Sequence, residues 1–100
     1  ALVALLESDV PADRISFSSD ANASLPRFDS EGRLIELRCG QIASLWQECV
    51  RACALGVSLE VALGVVTANP ARALGLAGKG AIGVGLDADL LLIDPNTLAI

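Results

Sequence analysis

The sequence predicts an α/β fold: the C-terminal piece of a (β/α)8 barrel of the TIM type, comprising its last strand and helices, followed by a separate element of short strands. Three observations predict it. The first is "ISFSSD" (15–20), in which apolar and small polar residues alternate. Ile15 and Phe17 point one way and Ser16, Ser18 and Asp20 the other. A solvated strand face carries long polar side chains, whereas serines fit a confined interior, as in a barrel strand whose outer face is covered by helices. The second is "QIASLWQECVRACAL" (41–55), where Ile42, Leu45, Trp46, Cys49, Val50, Cys53 and Ala54 follow the i, i+3, i+4 rule. The third is the order of elements: strand, long loop, helices, then two strands, which fits a last βα unit with a β element after it.

Taken in order, "ALVALLES" reads as the end of a helix. Residues 14–19 are predicted as a strand ending at Asp20. Residues 21–40 read as a long irregular loop punctuated by Pro26, the Asp29–Gly32 turn and Gly40, and loops of that length are often functional. The apolar stripe predicts a helix over 41–55 with Gly56 as its C-terminal cap. Ser58 can cap a second helix that buries Leu59, Ala62, Leu63 and Val66. Asn69 as N-cap and Pro70 at the first helical position open a third, short helix ending near Gly75. Beyond it the texture becomes glycine-rich and then strand-like. Ala81–Val84 and Leu90–Ile93 are predicted strands, the second bounded by Asp87–Asp89 and by Asp94–Pro95. The expected division is 1–77 for the barrel part and 78–100 for the β element. The helix-end opening and the unfinished "NTLAI" suggest a piece of a longer protein.

Composition narrows the function. One hundred residues suffice for one small domain. The chain is 53% hydrophobic, 3% aromatic and carries a net charge of −5 with scattered basic residues, so a nucleic-acid-binding face is not expected. No apolar run reaches membrane-spanning length and no charged-then-apolar leader precedes a cleavage site. Three cysteines, an odd number without a secretory signal, favour reduced thiols and a cytoplasmic location. Histidine, tyrosine and methionine are all missing, which leaves few candidates for catalysis.

Three further motifs bear on function. Cys49 and Cys53 stand at i, i+4, a spacing that can bind metal, but both lie on the apolar stripe, where cysteine packs as a small hydrophobe. "GKGAIG" (78–83) matches G-x-G-x-x-G, yet it follows a helix and enters a strand, the reverse of a dinucleotide site; Gly80 after Lys79 also rules out a phosphate loop. Asp20 has two readings. It can cap its own loop, as Asp commonly does at strand ends. Or it is a carboxylate at the C-terminal mouth of a barrel strand, where barrel enzymes keep their chemistry, able to ligate a metal or accept a proton.

The stretch "SSDANASLP", followed downstream by "TANPARALGL" and "GKGAIGVGLDADLLLID", resembles the C-terminal part of the amidohydrolase superfamily, and within it the isoaspartyl (β-aspartyl) dipeptidases. The tail from Thr67 to Asp94 is common to the superfamily; the "SSD-x-N-x-S-x-P" loop points to the dipeptidases. The resemblance implies a (β/α)8 barrel with a small β-sandwich, one or two divalent ions, usually zinc, and a β-aspartyl dipeptide as substrate. It implies a homo-oligomeric parent, and the charge and the lack of a spanning apolar run add the expectation of no nucleic-acid or membrane partner. By that pattern Asp20 is the eighth-strand aspartate, a metal ligand and the catalytic group that shuttles a proton from attacking hydroxide to leaving amine. Ser24 is a substrate-binding serine that hydrogen-bonds a substrate carboxylate, with Asn22 in a supporting role. Residues 81–84 and 90–93 become sandwich strands. Two departures stand out: Ala21 and Ala23 replace frequent glycines, which strains the loop if those positions need positive φ, and every histidine ligand is missing. A fragment with this content is expected to be inactive alone. The competing readings are another amidohydrolase (D-aminoacylase, N-acyl-amino-acid deacetylase or dihydroorotase-like) and a non-catalytic remnant or assembly piece.

Overall fold

Four helices, one 3-10 turn and one β-hairpin form the regular structure of the computed structural model, which describes residues 1–100. The first helix, α1, spans Leu2–Leu6. The apolar stripe folds as α2, Ala43–Ala54, and Ser58 begins α3, Leu59–Val66, by accepting a hydrogen bond from the Val61 N–H at 3.3 Å. Helix α4 spans Ala68–Ala73, with Gly75 just beyond it as expected.

The core is small and helical. Leu2, Ile15, Cys49, Ala52, Ala62 and Val65 are buried together, and Val3, Leu6, Phe17, Trp46, Cys53, Val57 and Val66 pack against them. Small residues at Ala52 and Ala62 let α2 and α3 approach closely. Cys49 is an apolar packing residue, as its place on the stripe predicts. The stripe is not buried throughout, since Ile42 at its start is 76% exposed. In α3 the fully buried residues are Ala62 and Val65, while Leu59 stays partly open.

Residues 14–19 do not form a strand. Arg14 closes a 3-10 turn, Ala12–Arg14, and residues 15–20 run outside any ladder. The reason is the lack of a neighbouring strand to supply hydrogen bonds. The Phe17 N–H instead donates to the Val65 carbonyl at 3.2 Å, one of the carbonyls that the end of α3 leaves without a helical partner. The predicted alternation persists nonetheless. Ile15 is 5% exposed and Phe17 packs on the core, whereas Ser16, Ser18 and Asp20 face out.

Residues 21–40 are also not an irregular loop. They hold an antiparallel hairpin of β1, Ser24–Phe28, and β2, Leu34–Cys39, with Ser24 opposite Cys39 and Pro26 opposite Leu37. The Asp29 carboxylate fixes its turn by accepting from the N–H groups of Glu31 at 2.8 Å and Arg33 at 2.9 Å. Pro26 lacks an N–H, but a two-stranded hairpin has only edge strands, where proline is tolerated. One face carries the ion pairs of Glu36 with Arg27 and Arg38, and the apolar side chains of Phe28, Leu34 and Leu37 stand exposed.

The strands expected at 81–84 and 90–93 are not formed either, again because no partner strand pairs with them; Ile82 and Leu92 are exposed. Local turns order this segment. The Asp87 N–H reaches the Gly78 carbonyl at 2.9 Å, and the Lys79 ammonium bridges Asp87 and Asp89. The Trp46 indole N–H donates to the Leu98 carbonyl at 2.9 Å, tying the tail to α2. No helix is long and apolar enough to cross a membrane.

Candidate functional site

Asp20 and Asn22 lie on one exposed turn where the 15–20 segment meets the hairpin, and Ser24, also exposed, opens β1 just after it. The serines before the turn shape it. Ser18 Oγ accepts from the Asp20 N–H at 3.1 Å and Ser19 Oγ from the Ala21 N–H at 3.3 Å. The Ala23 N–H then donates to the Asp20 carbonyl at 2.9 Å and closes the turn. Asp20 and Asn22 take left-handed backbone, with φ of 48° and 65°. Asp and Asn are the non-glycine residues that tolerate this region best. Ala21 and Ala23 keep negative φ, so alanine in place of glycine strains neither position.

Gly40 holds this turn from the far end of the hairpin. Its carbonyl accepts from the Asn22 N–H and its N–H donates to the Ala23 carbonyl, both at 3.0 Å. Its Cα lies directly against the Asp20 backbone, so a β-carbon there would sit 2.1 Å from the Asp20 carbonyl oxygen. The sequence marks Gly40 only as loop punctuation; nothing in it indicates which backbone the glycine must approach.

Asn69 is the second residue whose role the sequence misses. It is not the N-cap of α4, a position held by Thr67. It lies inside the helix, 8% exposed, and its amide Nδ2 donates to the carbonyls of Ala12 at 2.9 Å and Ile15 at 2.7 Å. The start of the segment that leads to Asp20 is thereby tethered to α4. Arg72 reinforces the tether through the Asp13 carbonyl and through Asn69 Oδ1 at 3.2 Å.

Asp20 takes part in none of the chain's ion pairs, all of which use other acids. Its carboxylate is exposed and can act as a hard oxygen ligand or a proton acceptor. No three His, Cys, Asp or Glu side chains converge to hold a metal ion. The residues present thus fit one position of a divalent-metal site and not a complete set. Lys79 is paired with Asp87 and Asp89, which raises its pKa. Burial pushes the Cys49 thiol up, as befits a packing residue.

The family model described as the amidohydrolase family matches residues 1–100. Among solved structures, the chain is similar to the β-aspartyl dipeptidase of the thermophilic, keratin-degrading Fervidobacterium islandicum AW-1, crystallised in complex with a β-Asp-Leu dipeptide. The two are 34% identical with a TM-score of 0.76, over 87% of this chain and 23% of that one. The chain therefore spans less than a quarter of the length of that structure.

Proposed function

The chain belongs to the amidohydrolase family, and on that premise we propose that it is the C-terminal part of a metal-dependent hydrolase that cleaves the β-aspartyl isopeptide bond of dipeptides. The observation that carries the reading is Asp20: an exposed carboxylate free of ion pairs, presented on a left-handed turn within "SSDANASLP". The 34% identity to a β-aspartyl dipeptidase crystallised with β-Asp-Leu supports the substrate class.

Asp20 is the residue of this chain that would hold a divalent ion, zinc in this reading, which when bound supplies Lewis acidity to the scissile carbonyl. The remaining ligands come from residues outside these 100, and the fragment alone is inactive. Asp20 accepts a proton from the attacking water and delivers it to the leaving amine as the C–N bond breaks. Ser24, at the start of β1, donates a hydrogen bond to a substrate carboxylate. Asn22 supports the loop from its left-handed position between them.

The test is hydrolysis of β-Asp-Leu, with α-linked Asp-Leu beside it, by the complete polypeptide in which these residues occur. Cleavage of the β-linked substrate in strong preference to the α-linked one is the expected result. Turnover of N-acyl-D-amino acids or a dihydroorotate-type ring, with none of β-Asp-Leu, would assign the chain to another amidohydrolase activity.

A further inference from the structure

We infer that Gly40, twenty residues downstream of Asp20 in the chain, is a positioning residue for the Asp20 carboxylate. The inference rests on the catalytic reading of Asp20 and extends it to a residue that would not itself touch substrate.

The geometry leaves no alternative to glycine at this position. A β-carbon on Gly40 would meet the Asp20 carbonyl oxygen at 2.1 Å, the Asp20 carbonyl carbon at 2.8 Å and the Ser19 carbonyl oxygen at 3.2 Å. All three are backbone atoms, so no side chain can rotate away to make room. The same residue accepts from the Asn22 N–H and donates to the Ala23 carbonyl, both at 3.0 Å. These bonds continue the hairpin ladder one step past the Ser24–Cys39 pair and hold the second half of the turn, at Asn22 and Ala23. The Asp20 carbonyl is in turn the acceptor for the Ala23 N–H at 2.9 Å. The oxygen that a new β-carbon would strike is therefore the one that closes the turn.

Asp20 sits in the left-handed region at φ 48°, a conformation that surrounding structure must enforce. Widening the Gly40 contact to an ordinary separation moves the Asp20 backbone by about 1 Å, and displacements of that size at a reacting group cost on the order of 10²-fold in rate. The hairpin thus fixes the orientation of a carboxylate outside its own strands.

The experiment is a double-mutant cycle in the complete polypeptide, read as kcat/KM on β-Asp-Leu. Gly40→Ala should lose about 10²-fold. Combined with Asp20→Asn it should add little to the loss from Asp20→Asn alone, because both changes act on one group. Wild-type activity in Gly40→Ala, or losses that multiply in the double variant, would overturn the inference while leaving the role of Asp20 intact. Wild-type activity in Asp20→Asn would overturn that role and this inference with it. Should Gly40→Ala not fold, amide hydrogen exchange on the unsubstituted protein decides. Asn22 and Gly40 amides protected like those of the hairpin support the clamp; exchange as fast as in an open loop overturns it.

Discussion

Replacing Asn69 with alanine should loosen the segment that carries Asp20, by an amount the hydrogen bonds allow one to work out. The Asn69 amide donates to the Ala12 carbonyl at 2.9 Å and to the Ile15 carbonyl at 2.7 Å from a site 8% exposed. These two acceptors fare differently when the amide is removed. The Ala12 carbonyl keeps a second donor, the Ile15 N–H at 3.2 Å. Its loss is one net hydrogen bond, about 1 kcal/mol. The Ile15 carbonyl is buried and has Asn69 as its donor, so it is left without a partner at a cost of about 1–3 kcal/mol. The sum is about 2–4 kcal/mol, a large share of the 5–15 kcal/mol that typically holds a domain together. Asn69→Asp should cost at least as much, because it keeps the shape, offers no donor, and faces two carbonyls with a negative charge. Urea unfolding of the complete polypeptide, followed by far-UV circular dichroism, measures the change at constant m. A loss below about 0.5 kcal/mol for both variants would show that the tether contributes nothing beyond an ordinary surface contact.

Three further outcomes follow from other parts of the molecule. Iodoacetamide should modify exposed Cys39 in the native protein but reach Cys49, 1% exposed and with its thiol pKa raised by burial, only after denaturation; equal labelling rates would contradict the packing role. The Asp94 carboxylate accepts from the Thr97 and Asn96 N–H groups, which holds its pKa below the ordinary 3.8. A depressed carboxylate stabilises the turn above the ordinary value and loses that contribution as pH falls through the lowered one. The Asn96 and Thr97 amide resonances should therefore titrate below pH 3.8, and a midpoint at or above 3.8 would contradict the bonds. Produced as these 100 residues alone, the chain should self-associate or melt without cooperativity, since Phe28, Leu37 and Leu92 are 56%, 62% and 91% exposed; a sharp melt of a monomer in sedimentation would contradict this.

The helical part of the fold is legible in the sequence because its signals are local. The i, i+3, i+4 stripe places α2, and the Ser58 hydroxyl places the start of α3, without knowledge of anything distant. Strands are harder because a strand exists only through its partner. "ISFSSD" and "LLLI" have strand-like composition, but no ladder forms on either within these residues. The hairpin forms where Pro26 argued for a loop, since the Asp29 turn and an unoccupied edge outweigh the missing N–H. At the site, Asp20 is read from the alternation that ends on it and Asn22 and Ser24 from the resemblance; the structure sets Asp20 and Asn22 on one exposed turn with Ser24 opening β1 beside it. Gly40 and Asn69 are not legible in the same way. Their contacts run to backbone atoms 20 and 54 residues away, and a single sequence carries no trace of such pairings.

On the proposed reading Asp20 carries chemistry and does more than shape its own turn. The deciding measurement is Asp20→Asn in the complete polypeptide, with steady-state kinetics on β-Asp-Leu and metal content measured on the same preparation. The substitution is near-isosteric, and asparagine tolerates the left-handed φ of 48°, so the fold should remain. Turnover should fall by about 10²–10⁴-fold or more, because an amide cannot take a proton from water, and metal should be retained less well. Wild-type turnover at unchanged metal content would contradict the claim and leave Asp20 as the residue that shapes its own turn.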